Sequence, residues 1–189
     1  MRNILIVVFA FSCLQLKAQD TPKDEVKFAV ADPSPADILY FPLNAPKAKD
    51  SEISKPVIKV IYSRPQKKGR EIFGVLEQYG KVWRFGANES TEIKFFEKVN
   101  IGGKKIKAGT YSLFAIPNQD KWVIIINSQT DKWGAFSYDQ SKDLVRVEVP
   151  VKVLSKPIEY FSLTFVKTDK GANLIAGWDK TQVELPILF

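Results

Sequence analysis

Histidine is missing from the 189 residues of this chain, and cysteine occurs once, at Cys13. Without histidine the chain has no Ser-His-Asp triad, and it lacks the side chain whose ordinary pKa lies near neutrality. With a single cysteine it forms no internal disulfide and no zinc site of the usual nitrogen and sulfur ligands. We therefore predict no catalytic residue, no metal and no cofactor.

The first 18 residues have the pattern of an export signal. Arg2 gives a positive start, a short apolar run follows, and Ala18 offers a small residue for cleavage. The run is too short to span a bilayer, so we predict a removed signal peptide at 1–18 and a disordered leader at 19–27. Lipid attachment at Cys13 is the alternative. We expect a periplasmic or extracellular protein without a cysteine nucleophile or a transmembrane segment.

Charge and core composition indicate one soluble domain at residues 28–189. The formal net charge is +7, with lysines scattered among acids and local clusters beside glycines, which are typical of solvated turns. We expect no nucleic-acid partner, because solubility and protection of strand edges explain such lysines. The chain is 45% hydrophobic and contains 13 phenylalanines, enough to build a packed core without disulfides. The sequence does not indicate an oligomeric state.

Short β-branched and aromatic runs, bounded by Gly, Pro, Asn and Asp, predict an all-β domain. Apolar and polar residues alternate from Phe161 to Phe165, as on a half-buried strand. Residues 122–126 are apolar on both faces, which predicts a central strand. The predicted strands are residues 57–62, 92–96, 110–116, 122–126, 144–149, 159–167, 174–178 and 182–187.

The remaining segments complete the predicted fold. Residues 99–109 have the pattern of a hairpin, and the proline-rich residues 28–46 predict an extended strap. Residues 71–79 are the one place where a helical turn is plausible. Strands at this spacing predict a single antiparallel β-sandwich or jelly-roll-like domain with at most one or two short helical turns.

Charged side chains are concentrated between residues 63 and 91, beside apolar runs and glycines. In the functional interpretation, arginine forks converge on an anionic group and the neighbouring polar side chains orient the ligand. In the structural interpretation, Arg84 pairs with Glu89 across a tight turn, because a buried arginine is costly unless it is paired. The candidate binding residues here are Arg64, Arg70, Arg84, Asn88 and Glu89.

A second candidate site lies at residues 131–139, where Trp133 and Tyr138 flank a glycine and a phenylalanine. If these aromatic side chains are exposed, they can stack on a sugar or an apolar ligand. The alternative is that they plug one end of the sandwich, which is the commoner fate of large aromatic residues.

Several long motifs carry a resemblance to a known family, among them YGKVWRFGANEST at residues 79–91. The chain resembles, from Phe28 to Pro186, the family catalogued as domain of unknown function 2911. The resemblance implies an exported bacterial protein and transfers no catalytic residue. The motifs that match lie at residues 34–42, 61–74, 79–91, 102–114 and 131–139.

These observations favour a binding module for a small anionic or glycan ligand. A hydrolase of envelope carbohydrate is the first alternative, because a pair of carboxylates can hydrolyse glycosides without histidine. Its candidate acids are Glu71, Glu89, Asp131 and Asp179, although nothing in the sequence pairs any of them. A structural envelope protein without a small ligand is the second alternative.

Overall fold

Two antiparallel β-sheets make up the fold seen in the computed structural model, which describes residues 26–47 and 55–189. The described residues leave out the predicted signal peptide with Cys13 and most of the predicted leader. They also leave out residues 48–54. Residues 26–30 are exposed and belong to a separate unit from Ala31–Phe189. Within the described residues, no helix has the length and apolarity needed to cross a bilayer.

Ten strands and two short 3₁₀ turns are present among the described residues. The strands are β1 (Ala36–Phe41), β2 (Ile58–Ser63), β3 (Thr91–Phe95), β4 (Val99–Ile101), β5 (Lys104–Ile106), β6 (Gly109–Ile116), β7 (Lys121–Asn127), β8 (Asp143–Pro150), β9 (Lys152–Thr168) and β10 (Gly171–Leu188). One sheet has the order β1-β2-β3-β6-β7-β8, and the other has the order β5-β4-β10-β9. The 3₁₀ turns are Ala45–Lys47 and Gln140–Lys142.

The all-β prediction is confirmed. Every predicted strand lies within or overlaps an observed one, and β7 is an interior strand, one place from the edge, with β6 and β8 as neighbours. The two last predicted strands are joined in β10, which pairs with β9 through register shifts between Gly177 and Thr181. The predicted strap contains β1, which pairs with β2.

The helical turn predicted at residues 71–79 is wrong. This segment folds back on itself through short contacts, in which Glu77 N donates to Ile72 O at 2.9 Å and Gly74 N donates to Glu77 O at 2.8 Å. Gly74 has φ +94°, a conformation that glycine adopts easily and that ends any helix. The helix propensity of this segment is therefore overridden by a local turn.

Aromatic side chains fill the space between the sheets. Trp83 and Trp178 stack with their ring centroids 6.0 Å apart, and Phe73 lies 4.7 Å from Trp122. Phe161 of β9 contacts Trp83 at 5.1 Å and so joins the four-stranded sheet to this cluster. Burial of such large side chains is the main source of stability in a domain that has no disulfide among its described residues.

The outward face of the six-stranded sheet carries a second, smaller apolar cluster. Phe114 and Ile125 are opposite each other on β6 and β7, and both are buried although neither belongs to the main core. Tyr138 packs edge-on against Phe114 with ring centroids 5.2 Å apart. The loop between β7 and β8 therefore folds over one half of this outward face. The other half, over β1, β2 and β3, is where a cleft opens.

Candidate functional site

A cleft of about 320 Å³ lies on the outward face of the six-stranded sheet. Its lining combines an exposed indole, two carboxylates, an amide and the serines Ser63 and Ser90. The lining residues are Ala36, Ile61, Tyr62, Ser63, Asn88, Glu89, Ser90, Glu92 and Trp133.

The floor of the cleft comes from three adjacent strands. Ile61 of β2 is directly opposite Glu92 of β3, and Ala36 of β1 is directly opposite Ser63 of β2. Successive side chains in a strand point to opposite faces. Since the neighbouring residues Val60 and Ile93 belong to the core, the floor residues point outward.

One wall of the cleft is a loop that interrupts the line of β3. Thr91 pairs with Leu113 of β6, and Trp83 pairs with Ala115, so residues 84–90 occupy the place of a single residue in a regular strand. Thr91 N donates to Arg84 O at 3.1 Å and closes the base of this loop. The loop thus projects from the sheet at a fixed point.

The backbone of this loop is held in an unusual conformation. Phe85 and Asn88 have φ values of 55° and 59°, which asparagine tolerates and phenylalanine rarely adopts. Phe85 is only 2% exposed, so burial of its ring offsets the backbone strain. Gly86 runs so close to β2 that an added Cβ would lie 3.0 Å from Ser63 O.

The loop at residues 131–139 lies beside this loop and contributes Trp133 to the lining of the cleft, and the two loops are joined. Ser90 N donates to Lys132 O at 2.8 Å, and Gly134 N donates to Asn88 O at 2.9 Å. Glu89 and Trp133 are therefore paired side by side. Trp133 is 61% exposed, so it does not plug one end of the sandwich. The structure brings together Asn88, Glu89 and Trp133 from both candidate sites.

Arg84 stabilises the junction between the two loops. Its Nη1 donates to Asn88 O at 3.0 Å, and its guanidinium lies 5.7 Å from the ring centroid of Phe136. The expected ion pair with Glu89 is not among those of the described residues. A backbone carbonyl takes the place of the carboxylate, and Glu89 is left exposed in the cleft.

Arg64 connects the edges of the two sheets. It donates to Asp37 Oδ2 at 3.0 Å, to Ser162 Oγ at 3.0 Å and to Phe161 O at 3.3 Å. The guanidinium fork is thereby used to join β1 and β9. Arg64 is not among the residues that line the cleft.

Arg70 and Glu77 form part of the turn-rich segment that precedes the loop. Arg70 donates to the carbonyl oxygens of Gln66 and Lys67, the latter at 3.0 Å from Nε. Burial raises the pKa of Glu77 to about 7, although the positive charges of Arg84 and Arg70 lower it. Neither Arg70 nor Glu77 lines the cleft, so the arginines are not gathered around one ligand site.

Tyr138 lies away from the cleft lining and has its own partners. Its hydroxyl donates to Asp143 Oδ2 at 2.5 Å, and Arg146 Nε lies 3.2 Å from the same carboxylate oxygen. Burial and the hydrogen bond to Asp143 raise the pKa of Tyr138 to about 12. Tyr138 thus fastens the loop to β8.

The other acids proposed from the sequence for glycoside hydrolysis are dispersed. Glu71 and Asp131 are exposed, and Asp179 forms an ion pair with Lys67 at 3.1 Å. Only Glu89 lines the cleft, where its acidic neighbour is Glu92. Among the described residues, no group of three or more Asp, Glu, Cys or His side chains could hold a metal ion.

Comparison with known proteins assigns the chain to a family. The family described as Protein of unknown function (DUF2911) matches residues 45–187. The chain belongs to this family. The match includes both loops and the acidic residues of the cleft, and it confirms the resemblance seen in the sequence. No curated protein and no solved structure matches the chain.

Sequence reasoning missed two acidic residues. Glu92 belongs to the predicted strand at residues 92–96 and was not singled out as a candidate. Glu77 was assigned to a helical turn that does not form. Alternation could have marked Glu92 as outward-facing, but only the fold shows that Glu89 and Trp133 lie above it.

Proposed function

We propose that this protein is a binding module for a saccharide, which it holds in the cleft beside Trp133. The observation that carries the proposal is an indole that is 61% exposed in a cleft also lined by carboxylate, amide and hydroxyl groups. Sugar rings present C–H groups that pack on an electron-rich ring face, and their hydroxyl groups donate to carboxylates. A few polar groups around an aromatic platform are typical of small-molecule sites.

The charges in the cleft favour a saccharide over an anionic ligand. Of the residues that the structure describes, Glu89 and Glu92 are the only charged ones that line it. Arg64 and Arg70 donate their hydrogen bonds to other protein groups. An anion in the cleft would therefore meet two negative charges without a facing arginine, which is unfavourable at short distance.

A hydrolase is the second candidate, because Glu89 and Glu92 line the same cleft. A glycosidase needs one carboxyl with a raised pKa as the acid and an ionised partner. The carboxyl whose pKa burial raises to about 7 is Glu77, which does not line the cleft. This arrangement favours a binding function over hydrolysis. Release of reducing sugar from a bound oligosaccharide, lost in Glu89→Gln, would favour the enzyme.

We further propose that the chain is exported, on the basis of residues 1–18. Export would bring the cleft into contact with envelope or extracellular glycans. Expression of the full chain in a bacterial host, followed by N-terminal sequencing of the secreted or periplasmic product, tests this. A product that begins at Gln19 supports it, and an intact N-terminus in the cytoplasm contradicts it.

Calorimetric titration with tetrasaccharides of glucose, mannose, xylose, glucosamine and N-acetylglucosamine tests the binding proposal. We expect at least one series to bind and the Trp133→Ala variant to lose about fivefold or more in affinity, since loss of one stacked ring costs on the order of 1 kcal/mol.

Tyr79→Ala is the control. Tyr79 is an aromatic residue outside both loops, 39% exposed, that does not line the cleft. Its substitution should leave affinity within about twofold, a change of about 0.4 kcal/mol. If no saccharide binds, or if both variants lose affinity equally, the proposed site is wrong.

A further inference from the structure

We propose that the cleft prefers saccharides that carry free, protonated amino groups over their neutral or N-acetylated counterparts. This inference rests on the proposed function and names the ligand class more narrowly. It depends on the charges that line the cleft, on their lack of partners and on the ring of Trp133 beside them.

Both carboxylates of the cleft are without a cationic partner in the part of the chain that the structure describes. Glu89 and Glu92 take part in none of the ion pairs of the described residues, and no hydrogen bond to either carboxylate is formed there. The nearest lysine along β3 on the same face is Lys94, whose Nζ lies 4.9 Å from the ring centroid of Phe96. Two like charges that share a small cleft repel each other, and a bound cation would relieve this repulsion.

Trp133 adds a second attraction for a cation. Its backbone pairs with that of Glu89, so indole and carboxylate belong to adjacent residues of paired segments. An ammonium near an indole face is attracted by the ring quadrupole, and an ammonium that donates to a carboxylate forms a charge-assisted hydrogen bond. An amino sugar presents an ammonium group on a ring of suitable size to pack on the indole, so one ligand residue can use both contacts.

The overall charge of the protein acts in the opposite direction. The formal net charge of the full sequence is +7 and stays positive without Arg2 and Lys17 of residues 1–18, so it repels a polycationic oligosaccharide at long range. Non-specific electrostatics would therefore favour neutral or anionic sugars. A preference for the aminated ligand would have to arise from local groups, and the cleft contains two acidic ones.

The test compares a β-1,4-linked glucosamine tetrasaccharide with its fully N-acetylated counterpart at pH 6, by calorimetry at low and at high salt. We expect the aminated ligand to bind about tenfold more tightly at low salt, with a smaller ratio at high salt because of screening. Glu89→Gln and Glu92→Gln should each reduce this ratio about threefold, because they remove charge and keep shape. Glu97→Gln, which changes an exposed acid outside the cleft, should not alter the ratio.

The outcomes separate the two proposals. If both tetrasaccharides bind equally and Trp133→Ala weakens both, the saccharide site stands and the amino-sugar preference is wrong. If neither of these ligands nor any neutral series binds, both proposals are wrong. A preference for the aminated ligand that survives both glutamine variants would place its origin outside the cleft and overturn the inference.

Discussion

Two aromatic turns lie side by side in this fold, and one is buried whereas the other is exposed. Residues 83–86 read Trp-Arg-Phe-Gly, and residues 133–136 read Trp-Gly-Ala-Phe. Trp83 is 3% exposed and belongs to the core, whereas Trp133 is 61% exposed and borders a cleft. The backbones of the two loops are hydrogen-bonded to each other through Asn88 and Gly134. Similar composition and close proximity therefore do not decide which turn supports the fold and which is available to a ligand.

The difference arises from where each turn joins the sheet. Trp83 pairs with Ala115 in the line of β3, and its side chain points between the sheets, where Trp178 stacks on it. Among residues 26–47 and 55–189, the turn at residues 133–136 pairs with the projecting loop and with no strand of the sheet, so it stands above the outward face. Burial is thus set by long-range pairing, and a ring that the sheets do not enclose remains accessible.

The largest expected effect is on stability, from Trp83→Ala. Loss of a buried ring and the cavity left behind should lower the free energy of unfolding by about 3–5 kcal/mol. Trp133→Ala should change it by no more than about 0.5 kcal/mol, since the side chain is largely exposed. Urea denaturation of both variants measures the contrast, and equal losses would contradict the division between a structural and an accessible turn.

A smaller effect concerns Glu77, whose charge is influenced by Arg84 of the buried turn. Burial raises the pKa of Glu77 from 4.5 to about 7 in the folded protein. The folded state then binds more protons than the unfolded state, so this group lowers stability as the pH rises from about 4.5 to about 7. Glu77→Gln should be more stable than the wild type by about 1–3 kcal/mol at pH 8 and nearly equal to it at pH 4.

The pH dependence of thermal unfolding between pH 4 and pH 8 checks this prediction. Glu71→Gln is the matched control, because Glu71 belongs to the same segment and is exposed. If Glu77→Gln and Glu71→Gln show the same pH profile of stability, then burial does not raise the pKa of Glu77.

A smaller loss of stability than that of Trp83→Ala is expected from Arg84→Met, which removes a side-chain contribution to the junction of the two turns and leaves their backbone hydrogen bonds in place. The variant loses the hydrogen bond to Asn88 O, so its free energy of unfolding should be lower by about 1 kcal/mol. Since the Arg84 charge lowers the pKa of Glu77, that pKa should rise further in the variant. Arg84→Lys keeps the charge without the fork and should leave the pKa of Glu77 near its wild-type value. An Arg84→Met variant with wild-type stability and saccharide affinity would show that the junction does not depend on this side chain.

Local pattern was enough to predict most of the fold. Alternation from Phe161 to Phe165 identified β9, and the apolar run at residues 122–126 identified an interior strand. These predictions depend on which face of a strand is buried, and periodicity reports that directly. The segment at residues 71–79 failed because a turn stabilised by contacts between Ile72, Gly74 and Glu77 competes with helix formation.

The site was predictable only in part. Asn88, Glu89 and Trp133 were singled out by residue type, but their meeting depends on a pairing between distant loops that no local pattern shows. Arg64 and Arg70 have side chains of the kind that binds anionic ligands, but they donate their hydrogen bonds to protein groups. Residue type indicates what a side chain can do, whereas the partners available in the fold decide which of these it does.

The central claim is that the cleft beside Trp133 binds a saccharide, and the indole N–H signals of the four tryptophans test it most directly. In a two-dimensional ¹H–¹⁵N spectrum, titration with the glucosamine tetrasaccharide should shift the Trp133 signal, assigned by its loss in Trp133→Phe. The signals of Trp83, Trp122 and Trp178 should remain in place because these rings are buried. An unchanged Trp133 signal at saturating saccharide, or a shift confined to the buried indoles, would contradict the account.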